Sequence, residues 1–297
     1  MTTKSERPTR EVSTTGRVAV ISCIHGNMEA FETTLDDITR QQVDQIICLG
    51  DLVGYGPFPN EVIDLVQRRN LRTIRGCWDE GIGLNQGHCG CSFLTDEDEV
   101  LGDLAFNWTS DQITKDNKTF LNELPQSVRM QTPKGVIVFF HGSPRSTSEY
   151  LTESTHDLVL LERAAGAGCD MLVCGHTHVP FVRKVEGTLR VSAASGLKDT
   201  YYRSIQPALA ATIRSIELSP KLIVNAGSVG EPRHGGTEST YTLIDTGTWD
   251  IEIRSVSYDV RKTVSAMRKL GMPEPFIERL DRGQELVGKD KEITCAC

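Results

Sequence analysis

Apolar positions along this chain fall into short unbroken runs that alternate with stretches of helical spacing. Residues 18–24 (VAVISCI) make a β-branched run of the size of a buried strand. In residues 27–40, Met28, Phe31, Leu35 and Ile38 recur on one face of a helix. Residues 45–52 (QIICLGDL) read as a second buried strand, 60–69 as a helix entered through Pro57 and Pro59, and 71–75 as a third strand. Strands and helices alternating at this interval predict βαβ units and a largely parallel sheet.

The middle of the chain changes character. Residues 81–96 are rich in Gly and Cys and carry no period, which predicts a loop. Helices are expected over 97–108, 114–124 and 155–167, and buried strands over 136–140 and 171–174. Residues 180–191, 222–225, 239–245 and 249–257 read as strands of a second sheet, and 260–270 and 274–280 as closing helices. Neither an internal repeat nor a strong linker interrupts the pattern. The organisation expected is a polar, disordered tail over 1–16 and one two-sheet α/β domain over 17–297. Residues 192–221 look inserted, with Ile205, Leu209, Ile213 and Ile216 at helical spacing behind Pro207. A packing helix, a lid and a homodimer contact are the roles open to that segment.

Composition narrows the function classes. The chain has 297 residues, 38% hydrophobic and 24% charged, an ordinary globular balance that excludes a wholly disordered chain and a small disulfide scaffold. Apolar runs stay far below the roughly 18 residues of a membrane span, so no membrane association is expected. The formal net charge of −8 argues against broad nucleic-acid binding, but not against a phosphate ester held at a local metal site. The cysteine count of 9 is odd and no apolar leader is evident, which points to a reducing cytoplasm.

The candidate chemistry sits at strand ends. Cys23 and His25, Asp51, Cys77, His141, and His176 with His178 each lie at the C-terminal end of a predicted strand, where open α/β sheets place their ligands. These are metal-ligand residue types. One His at a strand end is usually structural; seven such residues in five segments form a pattern.

That pattern resembles the calcineurin-like metallophosphoesterases. The family carries D-x-H, G-D-x-x-G, G-N-H-D, a His before Gly, and G-H-x-H in this order. The matching segments here are SCIHGN (22–27), GDLVG (50–54), GCWD (76–79), HGSP (141–144) and GHTH (175–178). NAGSVG (225–230) and DLVGYGPFP (51–59) are similar to the bacterial, YfcE-like branch. The resemblance implies a four-layer αββα sandwich and two divalent metal ions. Asp51 would bridge the ions, His25, His178 and position 23 would complete the first, and His141, His176 and position 77 the second. It further implies a bridging hydroxide that attacks a small phosphate ester, with Asp51 and His141 in the catalytic centre.

Three central positions depart from the family. Its Asp is Cys23, its Asn is Cys77, and its His is Trp78, which has no acid–base function. Thiolates at both positions add about one negative charge to a metallated site. They favour Zn or Fe, with Mn third, and leave room for a redox-sensitive site. Buried packing cysteines in a decayed site are the plain alternative. The functional alternatives are a non-hydrolytic metal- or redox-responsive binding protein, and a hydrolase turned to a non-phosphate substrate. Arg233 is a candidate for gripping an anionic substrate or for a surface salt bridge. Cys89 and Cys91, with Cys295 and Cys297, could form a second metal site, line the first one, or remain free thiols.

Overall fold

The computed structural model describes residues 10–13, 16–92, 95–190 and 215–283. Eleven strands are described: β1 (Arg10–Ser13), β2 (Arg17–Ile21), β3 (Gln45–Cys48), β4 (Arg72–Thr73), β5 (Ser127–Thr132), β6 (Gly135–Phe140), β7 (Met171–Cys174), β8 (Phe181–Arg190), β9 (Ser215–Asn225), β10 (Ser239–Asp245) and β11 (Ile251–Val256). Eight helices accompany them: α1 (Met28–Arg40), α2 (Pro59–Arg68), α3 (Cys77–Gly83), α4 (Asp96–Gln112), α5 (Lys115–Glu123), α6 (Asp157–Gly166), α7 (Val260–Lys269) and α8 (Glu274–Arg282). None of the described helices is long and apolar enough to cross a membrane.

Strand alternation builds the layers. In β2, Val18 and Val20 face the second sheet, whereas Ala19 and Ile21 face helices. In β7, Met171 and Val173 point between the sheets, and Leu172 and Cys174 point toward α6. The period of two therefore gives each central strand two buried faces. Val128, Met130, Ile137, Phe139 and Val224 complete the seam between the sheets. Helices α1, α2, α7 and α8 cover one outer face and α6 the other, so the fold is a four-layer αββα sandwich.

One sheet runs β11-β10-β2-β3-β4 and the other β1-β5-β6-β7-β9-β8. This corrects the expectation that the strands after residue 180 form a sheet of their own. β8 and β9 join β6 and β7, while β10 returns to pair antiparallel with β2. Sheet membership depends on which edge is free when a strand arrives, and the spacing of apolar residues carries no record of that. The three parallel strands β2-β3-β4 of one sheet and β6-β7-β9 of the other bring their C-terminal ends to the same edge of the sandwich.

Three further expectations are corrected. Within the expected tail, Arg10–Ser13 form an edge strand parallel to β5, because backbone pairing at an edge needs no apolar pattern. The expected loop over 81–96 begins inside α3, which runs to Gly83 and packs against α5. Ser215 and Ile216, read as the end of an inserted helix, belong to β9, which pairs antiparallel with β8. The rest of that helix, and Cys295 and Cys297, lie outside the described residues.

Candidate metal centre

All seven sequence-predicted ligand positions meet at this edge, and all are buried: Cys23, His25, Asp51, Cys77, His141, His176 and His178. They form two groups. Asp51, Cys77, His141 and His176 offer donor atoms within 4.8 Å of one another, and so do Cys23, His25 and His178. Asp51 Oδ2 lies between the groups, 3.1 Å from His141 Nε2, 3.4 Å from Cys77 Sγ and 3.7 Å from His25 Nε2.

The backbone at the strand ends makes this convergence possible. Five of the seven residues have positive φ: Cys23 (54°), His25 (49°), Asp51 (52°), His176 (66°) and His178 (61°). Left-handed backbone costs a non-glycine residue about 1–3 kcal/mol and persists only where its surroundings impose it. At Cys23, His25 and Asp51 two loops impose it on each other. Cys23 N–H donates to the Gly50 carbonyl, Ile24 and His25 N–H both donate to the Asp51 carbonyl, and Gly26 N–H donates to that of Leu52. Gly76 has to be glycine, because a Cβ there would lie 2.1 Å from Asp51 Oδ1.

Asp79, the first residue with no counterpart among the sequence-derived candidates, holds the Asp51 turn. Its carboxylate accepts from Asp51 N–H at 2.7 Å, Gly76 N–H at 2.9 Å and Leu52 N–H at 3.0 Å. Burial and the neighbouring Asp51 charge push its pKa upward. Asp51 moves the other way. Burial opposes ionisation, but His141, its hydrogen bond, and His25 together hold the Asp51 carboxyl below its ordinary range. The turn NAGSVG clamps both sheets to the site. Asn225 Nδ2 donates to the Gly175 carbonyl at 2.8 Å and to Thr177 Oγ1 at 3.0 Å, and Ser228 Oγ donates to the Cys23 carbonyl at 2.9 Å.

The histidine rings are oriented for ligation. Nδ1 of His25 lies 2.9 Å from the Val53 carbonyl, Nδ1 of His141 2.9 Å from that of Leu49, and Nδ1 of His178 2.5 Å from that of Glu231. A carbonyl only accepts, so each ring carries a proton on Nδ1, which leaves Nε2 of His25 and His178 as a lone pair pointing into the site. Nε2 of His141 faces Asp51 Oδ2 at 3.1 Å, where a proton or a cation must lie between them. The Nε2 atoms of His25 and His178 are 3.1 Å apart. Two lone pairs at that distance repel unless a cation lies between or beside them, and burial pushes both rings away from taking up a proton themselves. The donor set therefore fits divalent metal ions. Burial, followed by the Asp51 charge, also pushes the Cys23 and Cys77 thiols up, and a cation in the site removes that opposition to the thiolate form.

Position 78 is a packing position. Trp78 is buried, with its ring centroid 4.5 Å from Tyr55 and 5.7 Å from Phe106. Its backbone N–H donates to Asp51 Oδ1 at 2.9 Å. Arg233 is not at the surface. Its side chain is 13% exposed and bonds Glu231 Oε2 at 2.9 Å, and its charge helps depress the His25, His176 and His178 pKa values. Tyr150, exposed, lies 4.2 Å from the His176 ring and marks the solvent side of the site. Cys89 and Cys91 are joined by a disulfide, so they are not a free thiol pair for a separate metal site in this state. Cys91 Sγ lies 3.6 Å from Cys77 Sγ, which places the Cys-Gly-Cys segment against the centre. The signal for Tyr55 and Glu231 in the sequence was weak, since neither type is a distinctive ligand; only their contacts to Arg279 and Arg233 single them out.

Comparison with known proteins bears on the family and the fold. The profile of the calcineurin-like phosphoesterase superfamily domain matches residues 17–248. The uncharacterized protein MJ0912 of Methanocaldococcus jannaschii is 32% identical over 269 residues, covering 90% of this chain and 98% of that protein. The crystal structure of a metallophosphoesterase from Sphaerobacter thermophilus is 26% identical with a TM-score of 0.65, covering 91% of this chain and all (100%) of that one. The hypothetical protein PH1004 of Pyrococcus horikoshii OT3 shares the fold, with a TM-score of 0.69 at 20% identity over 92% of this chain and 100% of its own.

Proposed function

The chain belongs to the calcineurin-like phosphoesterase superfamily, and from that premise we propose that it is a two-cation hydrolase of phosphate mono- or diesters. The observation that carries this reading is Asp51 Oδ2 standing between two donor groups, with Nε2 of His25, His141 and His178 turned inward by the carbonyls that hold their Nδ1 atoms. Cys23, His25 and His178 would hold one cation, and Cys77, His141 and His176 the other, with Asp51 between them. Two divalent cations there would polarise the phosphoryl group and make a water a competent nucleophile at neutral pH. Zn and Fe suit a donor set of two sulfurs, four imidazoles and one carboxylate better than Mn.

The protein's own groups then have defined tasks. Asp79 and the backbone pairing of the two loops keep Asp51 in place. Arg233, held by Glu231 and stacked 5.9 Å from the Tyr55 ring, presents positive charge beside the site for a phosphate oxygen. Trp78 packs over the Asp51 turn and carries no transferable proton, so a proton for the leaving group would come from another group or from water.

The test is elemental analysis of protein purified under reducing, oxygen-free conditions, followed by an aryl phosphate assay of the same sample. About two equivalents of Zn or Fe per chain, with hydrolysis lost on chelation and regained on reloading, is the expected result. Near-zero metal after reloading overturns the reading. Two bound equivalents with no hydrolysis of any mono- or diester overturn the phosphoesterase assignment.

A further inference from the structure

Cys91 lies outside both donor groups, yet its sulfur stands 3.6 Å from Cys77 Sγ. Two adjacent thiolates on one cation, each at about 2.3 Å and about 90–110° apart, lie about 3.3–3.8 Å from one another. The same Cys77 sulfur is 3.4 Å from Asp51 Oδ2 and 3.6 Å from His176 Nδ1, so Cys91 flanks a ligand that touches two others of its group. In the structure Cys91 is bonded to Cys89. Gly90, at φ 72°, closes that short ring, and residues 84–88 before it are exposed. Cys91 itself is half-buried, with the metal centre on one side and the exposed loop on the other.

We propose that Cys91 is a further metal ligand of the Cys77 group, released for that role when the Cys89–Cys91 disulfide is reduced. This rests on the proposed metal centre and adds a redox gate to it. The reductant is a dithiol or a phosphine. A dithiol gives up two electrons and two protons and becomes a disulfide; a phosphine gives up two electrons and takes the oxygen of a water, whose two protons pass to the sulfurs. In either case Cys89 and Cys91 become thiols. On ligation the Cys91 proton passes to solvent. Cys89 is not the ligand, because its sulfur is turned back to accept the Cys91 backbone N–H at 3.3 Å. The gated position changes both the charge and the thiolate count of the second cation, so the oxidised and reduced proteins differ in metal affinity.

Cobalt(II) loading of the full chain tests this, because thiolate-to-cobalt charge-transfer absorption grows with the number of sulfur ligands. Wild type, Cys91→Ser, Cys89→Ser and Cys77→Ser are each loaded before and after reduction with a phosphine that is removed before cobalt is added. For wild type the absorption per chain is expected to rise by about half on reduction, from two thiolates to three. Cys91→Ser should stay at the lower value in both states. Cys89→Ser, which cannot form the disulfide, should show the higher value without reductant. Equal absorption for reduced wild type and reduced Cys91→Ser, or no change of wild type on reduction, overturns the proposal while leaving the metal centre standing. Cobalt bound with no charge-transfer absorption in any sample overturns cysteine ligation altogether, and the proposal with it. Retained ligand-field bands in Cys91→Ser show that the variant is folded around its histidines.

Discussion

The carboxylate of Asp79 is the group whose removal best tests how the metal centre is built. It accepts three backbone N–H bonds, from Asp51, Leu52 and Gly76, and all three donors are buried. Asp79→Ala leaves them without that acceptor. Each buried donor left unsatisfied costs about 1–3 kcal/mol, so the gross loss is about 3–9 kcal/mol. Two effects reduce it: water can enter the space vacated, and Asp51 loses a like charge beside it. A net loss of about 3 kcal/mol is expected, and at about 2–4 °C per kcal/mol for a chain of this size Tm falls by roughly 6–12 °C. The measurement is calorimetry on chelator-treated protein, since bound metal would stabilise the folded state and mask the difference. Asp79→Asn keeps one acceptor oxygen and should lose less. A metal-free Asp79→Ala protein that melts within about 1 °C of wild type would refute the claim that this carboxylate holds the Asp51 turn.

Three other outcomes follow from the same structure. Cys23→Asp with Cys77→Asn removes about one negative charge from a metallated site, and kcat/KM for an aryl phosphate should rise roughly tenfold, or about 1.4 kcal/mol; a stable, metal-loaded but inert double variant would speak against hydrolysis. Asp37 ties α1 to the sheet, accepting from Tyr241 Oη at 2.7 Å and Arg254 Nε at 3.1 Å. Burial opposes its ionisation, but these bonds depress its pKa. Its contribution is therefore present above the unfolded value of about 3.9 and lost as pH falls below it. Urea titrations should show Asp37→Asn less stable than wild type at neutral pH, with the gap closing below about pH 4; a gap independent of pH contradicts this. Phe139→Ala empties a fully buried position in the seam between the sheets and should lower stability by about 3–5 kcal/mol in urea unfolding.

Local pattern carried much of the fold. β7 and β10 run where the apolar spacing placed them, Met171–Cys174 and Ser239–Asp245. The helix expected over 27–40 begins at Met28 with Asn27 capping it through Ala30 N–H. β5 escaped notice because Ser127–Thr132 interleaves polar residues with Val128 and Met130, the two that reach the seam. β4, Arg72–Thr73, falls inside the strand expected over 71–75 but is only two residues (2) long. The ligand types were legible for a similar reason: His, Asp and Cys at strand ends are visible one segment at a time.

β2 and β3 stop at Ile21 and Cys48, short of the expected 24 and 52, but within each segment the sequence by itself determined which residues are apolar and which donor atoms stand near the strand ends. These are properties of neighbours in the chain, set by side-chain chemistry and by periods of two and 3.6 residues. The assignment of β8 and β9 to one sheet and β10 and β11 to the other was decided by tertiary structure. So were the positive φ values of Cys23, His25 and Asp51, held by the hydrogen bonds between their two loops, and those of His176 and His178. The approach of Cys91 to Cys77 belongs to the same class. A 3.6 Å contact between two sulfurs depends on how a loop closes over a helix, and residue spacing holds no measure of distance across space.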